Sequence, residues 1–307
     1  MPRRAPAEKL PLAVRKNIRD DWENKKEELE QNLSEVLGVS WTVDVDYKAL
    51  YPYAQDSSDW AASCLGEVIA RYVEGVAYQL RQFIPSNGDE AARDEINEIC
   101  SAHVLKFDID EKKTVNYNGC KVSPEGELII LFTEGNLGVN VNDAAERSKL
   151  AQALNEGPSR GKPMSYIART SIRTNYDPKI SEVQRKLKDI LGQEIALVPN
   201  FEENFAKLKD SHDSGDRWQE NFGYFILSYF EGLASQLEWQ KFGDDDMLQE
   251  GFFDGVDGRA AHFRVVDQLK RTYNEAVIEG GILYLQTIPK YLGTNVSDAA
   301  DGLINML

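Results

Sequence analysis

Two of the three histidines, His103 and His262, are the first candidates for proton chemistry because each follows an alanine and precedes an aspartate by five residues. Imidazole titrates near neutral pH, so a histidine oriented by Asp108 or Asp267 could act as a general base. On a strand, however, residues five apart point to opposite faces, so these side chains cannot pair within one strand. The pattern favours structural histidines at the entrance of a strand.

Two tyrosines and two glutamates form the second group of candidates, since they occupy matching positions in two similar helical stretches. They are Tyr72, Tyr229, Glu74 and Glu231. Together with the histidines they could line a pocket, but the tyrosines fall on the apolar helix face, which favours packing. A glycine follows each glutamate, Gly75 and Gly232. Because mid-helix glycine costs about 1 kcal/mol relative to alanine, it indicates close approach by another backbone.

The best-matched block of the chain begins at Asn140 and again at Asn295, each followed three residues later by an aspartate. Such a block could mark a helix N-terminus that binds an anion. The aspartates, Asp143 and Asp298, would already complement the positive end of the helix dipole and would repel an anion. The pattern therefore favours N-caps, with Asn142 or Ser297 as the cap and the aspartate in the first turn.

Acidic loops are the only candidates for metal binding, and their oxygen-rich side chains suit calcium. The residues concerned are Asp213, Asp216, Asp245 and Asp254. None of these loops has the Asp-x-Asp-x-Asp-Gly spacing with a distal glutamate that calcium loops show, which favours solvated loops.

The cysteines Cys64, Cys100 and Cys120 are few, odd in number and without Cys-x-x-Cys spacing. Zinc and thiol chemistry are therefore not expected, and a reducing compartment is favoured over a secreted disulfide framework. No phosphate-binding loop or dinucleotide fingerprint occurs in a suitable context, so no cofactor is expected.

The chain repeats itself. Residues 137–145 and 292–300 agree at seven of nine positions, and residues 66–80 and 223–237 agree at eight of fifteen. Two shorter matches keep the same order: Val36-Leu37-Gly38 on Ile190-Leu191-Gly192, and Ala102-His103 on Ala261-His262. The offsets lie between 154 and 159. The sequence therefore predicts a tandem duplication, with the two copies related by a pseudo-two-fold axis.

The polar stretch 155–165, rich in glycine and proline, is typical of a linker between the copies. The predicted organisation is a flexible N-terminal arm at 1–12, a first α+β repeat at 13–154, the linker, and a second repeat at 166–307. Apolar periodicity predicts the order helix, strand, two helices, three-stranded antiparallel meander and C-terminal helix within each copy. In the first copy the meander comprises 103–108, 115–122 and 127–132.

The net charge of −16 argues against nucleic acid or an anionic membrane as a partner, because both would be repelled. No stretch approaches the apolar length of a membrane span, and the N-terminus lacks the apolar region of a secretory signal. The sequence thus predicts a soluble, cytoplasmic protein.

Two functions remain open at this point. The first is a non-catalytic protein of scaffold or storage type that binds itself or another protein, since the copies share packing, capping and turn residues rather than reactive groups. The alternative is an enzyme or small-ligand-binding protein with a pocket between the repeats, lined by His103 and His262.

Overall fold

The broadest apolar stripes of the sequence form the two long helices on which the fold is built. In the computed structural model, which describes residues 3–215 and 217–307, these helices are Leu65–Ser86 and Phe222–Trp239. The chain divides into two compact units, Met1–Gly161 and Lys162–Leu307, with one long helix in each. With 52% helix and 13% strand, the described chain is α+β, as predicted.

The first unit packs its helices against a four-stranded sheet. Its helices are α1 (Leu12–Asn17), α2 (Lys26–Leu37), α3 (Tyr47–Gln55), α4 (Asp59–Ser63), α5 (Leu65–Ser86), α6 (Asp89–Ile99) and α7 (Arg147–Glu156), and its strands are β1 (Thr42–Val43), β2 (Val104–Ile109), β3 (Asn118–Val122) and β4 (Leu128–Phe132). A π-helical turn, Ile18–Glu23, lies between α1 and α2, and a 3-10 turn, Val141–Asp143, precedes α7.

The second unit has a sheet of its own. Its helices are α8 (Tyr166–Ser171), α9 (Ile180–Leu191), α10 (Phe201–Asp210), α11 (Phe222–Trp239) and α12 (Asp246–Gly255), and its strands are β5 (Ala196–Val198), β6 (Ala260–Val265), β7 (Asn274–Glu279) and β8 (Ile282–Thr287). A π-helical turn, Ile172–Tyr176, follows α8. The 3-10 turns are Phe242–Asp244, Pro289–Tyr291, Val296–Ala300 and Leu303–Asn305.

Both sheets are mixed. The strand order is β1-β2-β4-β3 in the first unit and β5-β6-β8-β7 in the second. In the first unit, β2 is parallel to both β1 and β4, and β3 is antiparallel to β4. In the second unit, β6 is parallel to both β5 and β8, and β7 is antiparallel to β8. The predicted duplication and its pseudo-two-fold relation stay predictions at this point.

The predicted three-stranded antiparallel meander is wrong, because β4 separates β2 from β3 and β8 separates β6 from β7. The turn at 123–126 does join β3 and β4 as a hairpin. An alternation of apolar and polar residues identifies a strand, but it does not show which strands lie beside it in the sheet. The continuous apolar run of β4, buried at all five positions, is the signal of a central strand.

The ends of the predicted units also differ from expectation. Helices α1, α3, α4, α8 and α10 are absent from the predicted order. Of these, α3 contains Pro52 and α4 has five residues, so neither gives a strong periodic pattern. The C-terminal helix of the first unit begins at Arg147 rather than near Asp143. In the second unit, the corresponding stretch forms 3-10 turns.

The described part of the predicted flexible arm lies against the first unit. The backbone N–H of Arg4 donates to the Tyr53 hydroxyl at 3.0 Å, and that of Ala7 donates to the Lys48 carbonyl at 2.9 Å. The Leu10 side chain is buried. These contacts make residues 4–10 part of the packed first unit.

Glycines let other backbone segments touch the long helices. A Cβ atom on Gly75 of α5 would lie 2.9 Å from the Val141 carbonyl oxygen, and one on Gly232 of α11 would lie 3.0 Å from that of Val296. The segments that touch them are the 3-10 turns of the same unit. The predicted close approach is therefore confirmed, with these turns as the neighbours.

The first turn of α11 makes a similar contact, which gives a test of the packing. A Cβ atom on Gly223 would lie 2.7 Å from the Cα atom of Ile172, so we expect Gly223→Ala to lower the free energy of unfolding by about 1–3 kcal/mol. Gly251 in α12 has no atom within 4 Å of a Cβ position. Gly251→Ala should therefore stabilise by up to about 1 kcal/mol. Urea denaturation measures both, and equal effects would contradict this packing.

Candidate functional site

The two candidate tyrosines are fully buried and hold the loop that follows the last strand of each unit. The Tyr72 hydroxyl accepts a hydrogen bond from the Gly138 N–H at 3.2 Å. The Tyr229 hydroxyl accepts one from the Gly293 N–H at 3.3 Å and donates to Asn274 Oδ1 at 2.7 Å. Burial raises the pKa of Tyr229 to about 12. A neutral, fully bonded phenol is a structural group at neutral pH.

Asparagines at the start of β3 and β7 bind the same loops, and sequence reasoning missed them. The Asn118 amide donates to the carbonyl oxygens of residues 139 and 140 at 2.8 and 2.7 Å. The Asn274 amide donates to those of residues 294 and 295 at 2.6 and 2.9 Å. Both are buried and both follow a tyrosine, Tyr117 or Tyr273. That matched Tyr-Asn pair was the available signal.

The predicted N-caps are wrong, because Asn142 and Ser297 lie inside 3-10 turns. The residues that precede these turns, Asn140 and Asn295, make no side-chain capping bond. Both residues adopt left-handed backbone conformations, with φ of 51° and 47°, which asparagine tolerates better than most residues. Their carbonyl oxygens accept the amides of Asn118 and Asn274. The match between these blocks thus reflects a turn conformation.

Glu74 and Glu231 lie on the exposed side of their helices. Glu74 forms an ion pair with Arg71 at 3.3 Å, one turn earlier on α5. The carboxylates of Glu74 and Glu231 therefore lie on the opposite side of each helix from the buried tyrosines.

His103 precedes β2 and takes part in the backbone turn that starts the strand. Its φ is 50°, its carbonyl oxygen accepts the Thr42 N–H at 3.0 Å, and its ring lies 5.7 Å from that of Trp41. The residue in this role in the second unit is Arg259, with φ of 49° and a carbonyl that accepts the Ala196 N–H at 2.8 Å.

The sequence match of His103 with His262 is therefore wrong by three residues. His262 lies inside β6, where it pairs with Val198 and Tyr284 on the neighbouring strands. The match rested on two identical residues, whereas strand register is set by hydrogen bonding along the whole strand. Within the described residues, His103 and His262 do not hold equivalent positions.

His262 has polar and aromatic neighbours on its own sheet. Its Nδ1 lies 3.4 Å from the Asn200 amide nitrogen, and its ring centroid lies 5.3 Å from that of Tyr284. Partial burial lowers the pKa of His262; the negative charge of Glu203 opposes this shift, and the positive charge of Arg264 adds to it. The lowered pKa favours the neutral form of the imidazole.

The carboxylates proposed to orient the histidines, Asp108 and Asp267, form ion pairs with arginine and lysine side chains instead. Asp108 pairs with Arg3 at 3.0 Å and with Lys121 at 3.5 Å. Asp267 pairs with Lys207 at 3.3 Å. Neither arrangement presents a carboxylate to a histidine.

The calcium candidates are dispersed. Asp245 caps α12, since its carboxylate accepts the N–H groups of Met247 and Leu248. Asp213 and Asp254 are exposed, and Asp216 lies outside the described residues. Among residues 3–215 and 217–307, no group of three or more His, Cys, Asp or Glu side chains could hold a metal ion.

The cysteines Cys100 and Cys120 are buried, and burial raises the pKa of both thiols, that of Cys120 to about 12. Neither thiol ionises near neutral pH, so neither is an activated nucleophile.

A groove of about 510 Å³ opens in the first unit beside the ends of β2 and β3, the loop after β2, and α7. Its charged lining includes Asp108, Glu111, Lys121 and Lys149. Lys149 donates to Asn118 Oδ1 at 3.1 Å, and the amide of Asn118 in turn donates to the loop after β4. This cation therefore belongs to the hydrogen bonds that hold that loop. Asp108 lines this groove, whereas the candidate histidines, tyrosines and glutamates do not.

Exposed apolar side chains mark a second place, at the connection between α11 and α12. Trp239 ends α11 and is 73% exposed; Met247 lies in the first turn of α12 and is 72% exposed. The exposed acids Asp244, Asp246 and Glu250 accompany them. We call these five residues the α11–α12 surface.

Comparison of the chain with protein-family models, with curated proteins and with solved structures found no match. None of the described helices is both long and apolar enough to cross a bilayer.

The loop-holding role of Tyr229 can be tested with Tyr229→Phe. Loss of the hydroxyl leaves the Gly293 N–H without its acceptor and removes the donor to Asn274 Oδ1, so we expect a loss of about 1–3 kcal/mol in urea denaturation. The control is Tyr224→Phe, an exposed tyrosine on the same helix, which should change stability by less than about 0.5 kcal/mol. Similar values for both variants would refute the role.

The neutral state of His262 has a pH signature. Because its folded pKa is lowered, its contribution to stability is present above the unfolded pKa and is lost as pH falls through the folded pKa. We expect the ring protons of His262, assigned with His262→Gln, to titrate at lower pH in the folded protein than in urea. A midpoint equal to or above the unfolded value would contradict the burial of the ring.

Proposed function

We propose that the protein is a non-catalytic, partner-binding protein of scaffold or storage type, built from two copies of one α+β unit. Its partner is itself or another protein. The proposal includes the tandem duplication, which is supported by equal strand order in the two sheets and by the shared links of Tyr72 and Tyr229 to the loop after the last strand.

The observation that carries the proposal is a set of exposed apolar side chains at the end of α11, at the start of α12 and in residues 304–307, where the Ile304 N–H donates to Gln240 Oε1. Residues 239–247 and 304–307 contribute five of the large apolar side chains that are exposed, Trp239, Met247, Ile304, Met306 and Leu307. Scattered single apolar residues are normal on a protein surface. Clusters of them mark interaction sites, and tryptophan and methionine are enriched at interfaces.

The residues common to both units support the same function. The tyrosines, the glycines against the 3-10 turns and the asparagines at β3 and β7 all serve packing or loop positions. A unit whose repeated residues are structural is suited to presenting surfaces. The net charge of −16 disfavours nucleic acid as the partner.

A second candidate, a small-ligand-binding protein or enzyme, is favoured by the groove of about 510 Å³ in the first unit. This volume falls within the usual range for ligand pockets, but its lining is charged where such pockets are mostly apolar. The alternative pocket lined by His103 and His262 loses its support from sequence equivalence, since His103 precedes β2 whereas His262 lies inside β6.

Native mass spectrometry of protein purified from its source tests the proposed function. We expect a mass above the 34.6 kDa of one chain, through a second copy or a bound protein. Recombinant protein, measured in parallel, separates self-association from a partner. A mass of one chain in both samples would contradict the proposal, and a retained compound of a few hundred daltons would favour the ligand-binding candidate.

A further inference from the structure

The chain holds Trp239 in solvent by contacts on both sides of it. Glu238 forms an ion pair with Lys186 of α9 at 2.8 Å. Gln240 donates to the Ala300 carbonyl at 3.1 Å and accepts the Ile304 N–H at 3.1 Å. Because both neighbours are fixed, the exposure of the indole belongs to the folded helix end and not to a frayed terminus.

Met247 is fixed in the same way at the other end of the connection. The carboxylate of Asp245 caps α12, and Phe242 and Phe252 are fully buried with their rings 6.3 Å apart. These contacts turn Met247 outward. Gly251, one turn further along α12, has no atom within 4 Å of a Cβ position, so the surface beside Met247 is open.

Acidic residues dominate the chain around these apolar groups. Residues 238–257 contain seven acids and one base, Lys241. Glu238 already has a partner of opposite charge, Lys186. Lys241 lies 3.8 Å from Asp244, but both side chains are largely exposed, so Asp244 stays accessible to a basic partner. On the exposed side of α12, Glu250 and Asp254 remain next to Met247 and the open position of Gly251.

On the basis of the proposed function, we propose that the α11–α12 surface binds a basic amphipathic segment of another protein. Apolar side chains of that segment pack on Trp239 and Met247, and its lysines or arginines lie against Asp244, Asp246 and Glu250. Methionine adapts to varied apolar partners, and complementary charge sets the orientation and speeds association.

The charges disfavour the other occupants. A symmetric contact with a second copy would bring the same acids face to face, which costs energy. An anionic membrane would be repelled in the same way. A basic segment gains from both the apolar and the acidic groups of this surface.

A labelled model peptide tests the proposal on the full chain. The probe is a helix-forming peptide of leucine and lysine with leucine at helical spacing, roughly 18 residues long so that it can form a helix. Two control peptides have the same leucines with glutamate, and the same composition in scrambled order. Fluorescence anisotropy measures the affinity. We expect the leucine–lysine peptide to bind most tightly, with affinity falling as salt is raised.

The variant Trp239→Ser, Met247→Ser should lower that affinity by at least roughly tenfold. Its matched control is Leu12→Ser, an apolar side chain in the first unit that is 74% exposed. Neutralising Asp244, Asp246 and Glu250 as amides should also weaken binding. Neutralising three exposed acids of the first unit, Glu8, Asp94 and Glu125, should leave it unchanged.

Equal affinity for the serine double variant and the unaltered chain would overturn the proposal. So would equal weakening by the two sets of neutralised acids, since binding would then reflect net charge alone. If the double variant turned a dimer into a monomer in native mass measurements, the occupant would be a second copy. That result would overturn this proposal and leave the partner-binding function standing.

Discussion

The buried links between a long helix and the loop after the last strand are the constraint on which each unit depends. The loop is irregular backbone packed against an apolar helix, so its polar groups need partners away from water. Tyr72 and Asn118 supply them in the first unit, and Tyr229 and Asn274 in the second. The glycines at the helix contact allow the backbones to meet, so apolar packing and polar satisfaction are achieved at the same place.

Under this constraint Tyr72 and Tyr229 serve the packing of the loop, which agrees with the proposed non-catalytic function. A phenol that is buried and bonded on both sides is a poor proton donor, because ionisation would place a charge among apolar side chains. Its raised pKa is a consequence of the same burial that secures the loop. Chemistry at this position would require water or a counter-charge, and either would weaken the contact between helix and loop.

The parts of the fold that depend on local pattern were predictable, and the parts that depend on distant pairing were not. The long helices follow from apolar periodicity, and the β3–β4 hairpin follows from its turn. The position of β4 between β2 and β3 depends on which strands pair with each other in the sheet. The alternation of apolar and polar residues within one strand does not encode that pairing. The match of His103 with His262 failed for a related reason, since two identical residues do not define a strand register. Among site residues, the buried tyrosines were found and the asparagines that bind the same loops were not.

If the proposed binding role holds, the exposed apolar side chains and the acids beside them together determine which partners the chain accepts. Trp239 and Met247 alone would favour any apolar surface, including another copy of the chain. The acids beside them add a repulsive element against acidic partners, and specificity commonly arises from such repulsion as much as from attraction. The side-chain contacts of Glu238, Gln240 and Asp245 belong to the fold, so the apolar groups are presented without ordering a mobile segment on binding. A preorganised surface of this kind loses little conformational entropy when it binds. The free energy of binding can then offset the entropy that a flexible partner segment loses as it becomes ordered.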